Sequence, residues 1–226
     1  MEKSALKFIC IFGFALISLS AKGQQFMKDA DGRPLLERRY TDVQGSPYLN
    51  DQWRTGTVKL ANGQTHKDVD LKYDQVAEEL IFKNSEGKAF TFREPVKEFS
   101  LQSPGGSEIG GMIFRNGFKS TDAGTSNTFY QVLSDGETPL LKRSVKKVME
   151  NKPYGSATTI KTFHDVTTYY LAKNGQPVKV RKDKKAILAA LGDYTANLEE
   201  FIRTNKLNFK SDNDLIMLVT FYNSLK

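Results

Sequence analysis

The sequence predicts an α+β domain that is mainly β: a curved antiparallel meander, open or partly closed as a barrel, followed by three short C-terminal helices. Three observations carry this. Between Arg54 and Gln102, short runs of alternating apolar residues are divided by turn signals. Asn-Gly or Asp-Gly pairs recur at Asn62-Gly63, Asp135-Gly136 and Asn174-Gly175, the dipeptides that tight hairpins favour. After Val180 the apolar spacing changes from that of a strand to that of a helix.

Residues 1–23 read as a secretory signal peptide. Lys3 and Lys7 form the positive start, Phe8 to Leu19 supply twelve mostly apolar residues, and Ala21 and Gly23 suit cleavage before Gln24. The run is shorter than the roughly 18 residues a membrane span needs, so the mature chain is expected to carry no transmembrane span. No linker divides the rest: residues 24–226 form one domain, with a β-meander over 24–181 and a helical cap over 182–226.

From Gln24 to Asn50, Asp31-Gly32 and Gly45-Ser46-Pro47 punctuate a short run near Leu35 to Tyr40, read as a strand or arm. The DADG segment is no calcium loop, because Met27 and Arg38 would stand where an EF-hand needs carboxylates. In the meander, Val58 and Leu60 lead into a type I′ turn at Asn62-Gly63. Val69, Leu71 and Tyr73 then share one face, with Asp68, Asp70 and Lys72 on the other. Leu80 and Phe82, a turn over Asn84 to Gly87, and Phe90 and Phe92 make the next hairpin. The spacing slips between Val96 and Phe99, which predicts a β-bulge near Lys97.

Glycine is dense between Ser103 and Asn127, where a mobile connection is expected around the apolar run Met112 to Phe114. No Gly-Lys-Ser/Thr follows, so this is not a phosphate loop. Phe129 to Leu133 and Pro139 to Met149 form a hairpin about Asp135-Gly136, and Thr167 to Val180 forms the last, about Asn174-Gly175. Asp183 then caps a helix ended by Gly192. Asp193 caps a second, with Tyr194, Leu198, Phe201 and Ile202 on one stripe. Ser211 and Asp214 open a third, with Leu215, Leu218, Val219 and Tyr222 aligned.

The one cysteine, Cys10, lies within the signal, so disulfides, thiol catalysis and cysteine-bound zinc are excluded from the mature chain. A domain of about 200 residues buries roughly 70% of its unfolded surface and needs no staple. Removing Lys3, Lys7, Lys22 and Glu2 from 33 basic and 26 acidic residues leaves 30 against 25, a modest +5 that does not argue for nucleic acid in an exported protein.

Catalytic signals are sparse. His66 flanks a turn, and His164 precedes Asp165, which a strand would point to the opposite face. Neither has metal-ligand spacing, and neither a Gly-x-Ser-x-Gly elbow nor a Ser-x-x-Lys set occurs. Glu78-Glu79 and Glu199-Glu200 diverge as neighbours; a distant pair such as Asp68 or Asp70 with Glu94 is the remaining route to a hydrolase. No catalytic, cofactor or metal residue is therefore assigned. The partner-binding candidates are Tyr48 and Trp53, aromatics beside loops, and the basic residues Lys142, Arg143, Lys146 and Lys147, which as structure would be the solvated face of a strand.

Several stretches, GSPYLNDQW with TGTV after it, FYQVLSDGETPLLK, TTYYLAKNGQ, and KKAILAALGDYTANLEEFIRTNKLNF through LVTFYNSL, resemble a family of exported, uncharacterised β-rich proteins of Gram-negative Bacteroidota. That resemblance implies export, a β-rich body with terminal helices, and no assigned activity. The expectation is an exported, non-enzymatic protein, periplasmic or extracellular, binding an envelope protein or small ligand. The alternatives are an envelope assembly component docking through its C-terminal helices, and a hydrolase with an unrecognised carboxylate site.

Overall fold

A computed structural model describes residues 31–35, 40–104, 110–120, 124–152, 154–155 and 157–226. The expected signal peptide, Met27 and Arg38, most of the run from Leu35 to Tyr40, and parts of the glycine-rich stretch lie outside the described residues.

Twelve strands form one sheet: β1 (Gly32–Pro34), β2 (Val43–Gln44), β3 (Arg54–Leu60), β4 (Thr65–Asp74), β5 (Glu79–Lys83), β6 (Ala89–Phe92), β7 (Val96–Leu101), β8 (Met112–Arg115), β9 (Tyr130–Ser134), β10 (Leu140–Asn151), β11 (Ile160–Lys173) and β12 (Gln176–Val180). Helices α1 (Lys184–Leu191), α2 (Thr195–Thr204) and α3 (Asp212–Ser224) follow. The order is β1-β6-β5-β4-β3-β7-β8-β9-β10-β11-β12, antiparallel throughout, except that β2 pairs in parallel with β11. No helix among the described residues is long and apolar enough to cross a membrane.

The sheet is not a simple meander. After three hairpins from β3 to β6, the chain returns to the other side of β3 as β7. In a flat sheet β6 and β7 would lie four strand spacings apart, about 19 Å. The four Cα steps from Phe92 to Val96 reach at most about 14 Å. The sheet must curl, and its interior is the cluster of Val58, Leu71, Tyr73, Phe82, Phe90 and Phe99 with their neighbours. Phe99 and Phe114 stack at 4.6 Å, and Tyr73 leans on Phe99 at 5.4 Å. The curl does not close as a ladder. Instead the β4–β5 turn meets β10: Lys146 N donates to Gln75 O (3.0 Å) and Gln75 Nε2 to Ser144 O (2.9 Å).

On the opposite face of β9 to β12, the helices bury Leu140, Leu171 and Val180 beneath Ile187, Leu191, Leu198, Leu215, Leu218 and Tyr222. The apolar stripe of α3 is thus covered by the protein's own sheet. Asp183 caps α1 by accepting from Ala186 N (2.8 Å), and Gly192 ends it at φ 79°. The second cap differs from expectation. Tyr194, at φ 55°, occupies the cap position without a side-chain bond, because the Asp193 carboxylate instead accepts from Tyr222 Oη (3.2 Å). Ser211 Oγ caps α3, while Asp214 accepts from Asn208 N and Phe209 N in the preceding turn.

Other departures follow from local chemistry. At Asn62-Gly63 only Gly63 takes positive φ, and the Asn62 side chain accepts from Gln64 N in an Asx turn, so this hairpin is not type I′. At Asn174-Gly175 both residues take positive φ between directly paired Lys173 and Gln176, as type I′ requires. The β3–β7 register skips Lys97, at the expected bulge. Met112 to Phe114, expected within a mobile connection, instead forms strand β8, because Phe114 stacks on Phe99 in the core.

Candidate functional site

The curl leaves a mouth where the β6–β7 link crosses it. A depression of 260 Å³ lies there, lined by Glu78, Glu79 and Leu80 where the chain enters β5, Phe92, Glu94, Pro95 and Val96 along the link, Asn116 after β8, and Asn127 and Phe129 before β9. Each wall has a local cause. Asp74 ends β4 by accepting from Val76 N (2.8 Å) and Ala77 N (3.0 Å), and Glu78 follows at φ 53°. This left-handed step aims the Glu78 carboxylate at Arg143, which grips it with two bonds, Nε to Oε1 (2.8 Å) and Nη2 to Oε2 (2.6 Å). Pro95 O anchors the link by accepting from Ala61 N (2.7 Å).

Asn116 sits on the chain leaving β8. Its backbone N–H donates to Lys97 O (3.1 Å), which the bulge leaves free, and its Nδ2 donates to Val96 O (2.7 Å). That fixes the amide, and its Oδ1 is left buried with no partner among the described residues. Phe129 forms the floor, packed edge-on against Phe99 at 5.1 Å. Glu94 makes no ion pair or hydrogen bond among the described residues. The mouth thus gathers the carboxylates of Glu78, Glu79 and Glu94, of which Glu78 is held by Arg143, with the amides of Asn116 and Asn127 and the rings of Phe92 and Phe129. Burial, reinforced by the Glu78 charge, pushes the neighbouring Tyr73 phenol far above its ordinary range, so it stays neutral beneath the site.

The partner candidates read from the sequence are placed elsewhere and mostly satisfied within the chain. Pleating puts Lys142 and Lys146 on one face of β10 and Arg143 and Lys147 on the other, so the basic run is not a single stripe. Lys142 pairs with Asp212 (2.8 Å), Arg143 with Glu78, and Lys146 donates to Ser46 O and Tyr48 O (both 2.8 Å). Lys147 is exposed. Tyr48 and Trp53 flank Lys72, whose Nζ lies 4.7 Å and 5.1 Å from their rings; Lys83 lies 5.3 Å from Trp53 and pairs with Asp70. Burial and the nearby Lys83 charge lower the Lys72 ammonium below its ordinary range, against the pull of Asp51.

Glu94 converges with Glu78 and Glu79, not with Asp68 or Asp70. His164 is exposed opposite Lys147, and among the described residues no cluster of His, Cys, Asp and Glu could hold a metal. A wider depression of 370 Å³ lies over Gly56, Ser100 and Ile113 on the outer face, but its one carboxylate, Glu98, is held by Arg115 at 2.6 Å. Sequence reading missed Asn116, Asn127, Phe92 and Phe129 as site residues. The usable signal was the short stretch from Phe92 to Val96, whose reach already demands a curl. No family model, curated protein or solved structure matches the chain.

Proposed function

We propose that this is an exported, non-enzymatic binding protein that holds a small ligand rich in hydrogen-bond donors, an amino sugar or similar polyhydroxyl amine, in the mouth of the curled sheet. The observation that carries this is the Glu94 carboxylate, without an ion pair among the described residues, beside the buried and partnerless Oδ1 of Asn116. A buried oxygen without a donor costs about 1–3 kcal/mol, which a ligand hydroxyl or ammonium would relieve. The volume of 260 Å³ falls just below the usual range for ligand pockets and suits a single sugar ring rather than a chain. Phe92 and Phe129 supply apolar contact for a ring face. Export and the resemblance to exported Bacteroidota proteins belong to the same proposal, under which the ligand is met in the periplasm or outside the cell.

The test is a nuclear magnetic resonance titration with glucosamine, with glucose as the neutral control. Glucosamine should shift the Asn116 side-chain amide, and Glu94→Gln should weaken that response about tenfold or more, the worth of one charge-assisted bond. A response that ignores Glu94→Gln, or none at millimolar sugar, would refute the assignment.

A further inference from the structure

β10 and β11 form the longest hairpin of the protein, and their register runs unbroken from Leu140↔Leu171 to Asn151↔Ile160. Ala172 N donates to Pro139 O (3.0 Å), which continues this register by one pair. Even-numbered residues of β11 therefore bond to β10, and odd-numbered ones direct N–H and C=O the other way. The β10 side agrees, since Ser144 O and Lys146 N point outward to Gln75. On its outer side β11 pairs with β2 at Lys161 and Thr162 and with β12 from Tyr169 to Lys173. Phe163 N–H belongs to the β2 ladder, since the parallel pair Thr162↔Gln44 is bonded through the residues flanking Thr162; beyond it Phe163 C=O and both the N–H and C=O groups of Asp165 and Thr167 bond to no backbone among the described residues.

This gap is a slot in the plane of the sheet, six residues or about 20 Å long, closed at one end by β2 and at the other by β12. A free strand edge is a template for another strand unless something blocks it. Its closed ends exclude a second copy of this chain, because the partner's own β2 and β12 would collide with the first copy's β11. We infer that the slot between β2 and β12 accepts a short, extended, acidic peptide segment of another protein by strand addition to β11. The acidic character follows from its rim. Lys147 lies opposite His164 and Lys179 opposite Tyr170, both on the face of Val166, and neither has an ion pair among the described residues. On the other face, Phe163 with Tyr40 packed against it at 5.6 Å offers apolar contact, so the peptide should alternate acidic and apolar residues. Asp165 is the one carboxylate in the slot.

The probe is a fluorescein-labelled hexapeptide of alternating glutamate and valine, with alternating lysine and valine as control, titrated into the full-length protein. The acidic peptide should bind at least tenfold more tightly, and hydrogen exchange should slow at the amides of Asp165 and Thr167 but not at neighbouring turns. Thr167→Pro removes an outward N–H without touching the ladder to β10 and should weaken binding at least tenfold, while Thr167→Ala should not. Should Thr167→Pro fail to fold, the exchange pattern of the unaltered protein decides alone. Equal binding of the two peptides, protection elsewhere, or no protection at millimolar peptide would overturn the inference.

Discussion

Arg143 and Glu78, 65 residues apart in the chain, are joined by a two-pronged ion pair that ties β10 to the β4–β5 turn. The pair does what a closing ladder would do in a barrel: it fixes the width of the curl. Its side chains are about a quarter exposed (25% and 26%), so solvent screens part of the attraction. The Glu78 carboxylate nevertheless raises the Arg143 guanidinium further above its ordinary range. Arg143→Ala and Glu78→Ala should each cost about 1–2 kcal/mol, read as melting temperatures lowered by roughly 2–8 °C, with a coupling near 1 kcal/mol in the double mutant. Strict additivity would show that the two sides of the curl are held by packing alone.

Gly56 is required by a close approach rather than by its backbone angle. A Cβ there would run into Ser100 O on β7 and lie 2.7 Å from Leu71 Cδ1. Neither the paired backbone nor the buried leucine can give way cheaply. Gly56→Ala should therefore cost about 3 kcal/mol in urea unfolding, at the upper end for overpacking. A change below about 0.5 kcal/mol would mean that β3 and β7 separate easily.

Asp212 gathers Lys142 (2.8 Å), Lys182 (2.7 Å) and Tyr169 Oη (2.7 Å) at the first turn of α3. Burial alone would raise its carboxyl, but the hydrogen bonds from those three groups outweigh it and hold the carboxyl well below its ordinary range. A depressed folded value contributes stability that is complete above the unfolded value near 4 and is lost as pH falls below it. Asp212→Asn should lower the melting temperature at neutral pH, and the difference from the parent protein should shrink as pH is taken from about 6 to about 3. A difference that grows on acidification would have the wrong sign.

Leu215, Leu218, Val219 and Tyr222 of α3 are fully buried against the chain's own sheet and α1 and α2. Removing residues 211–226 should abolish the cooperative thermal transition followed by circular dichroism, because Leu140 and Leu171 would lose their cover. A stable, soluble truncation would instead favour α3 as a docking helix.

Much of the strand pattern was legible because period-two alternation and turn chemistry act over a few residues. Asn174-Gly175 and the Lys97 bulge were readable this way. The return of β7 to β3 was not, since hairpin signals name a strand's sequence neighbour and never its distant one. Met112 to Phe114 was misread because dense glycine around it outweighed three apolar residues, whereas in the fold Phe114 is fixed by Phe99. The site was the least legible part. Glu94 and Asn116 become neighbours only through the curl, and the unpartnered oxygen of Asn116 depends on its amide nitrogen being taken by Val96. The Tyr194 cap could not be foreseen either, because the Asp193 carboxylate is drawn off by Tyr222, 29 residues away.

The most direct measurement of ligand binding at the mouth is a crystal structure of the protein soaked with glucosamine. The proposal predicts the sugar seated between Phe92 and Phe129, its ammonium about 2.7–2.9 Å from the Glu94 carboxylate and a hydroxyl donating to Asn116 Oδ1. An empty mouth at saturating sugar, or a sugar bound with neither contact, would contradict it.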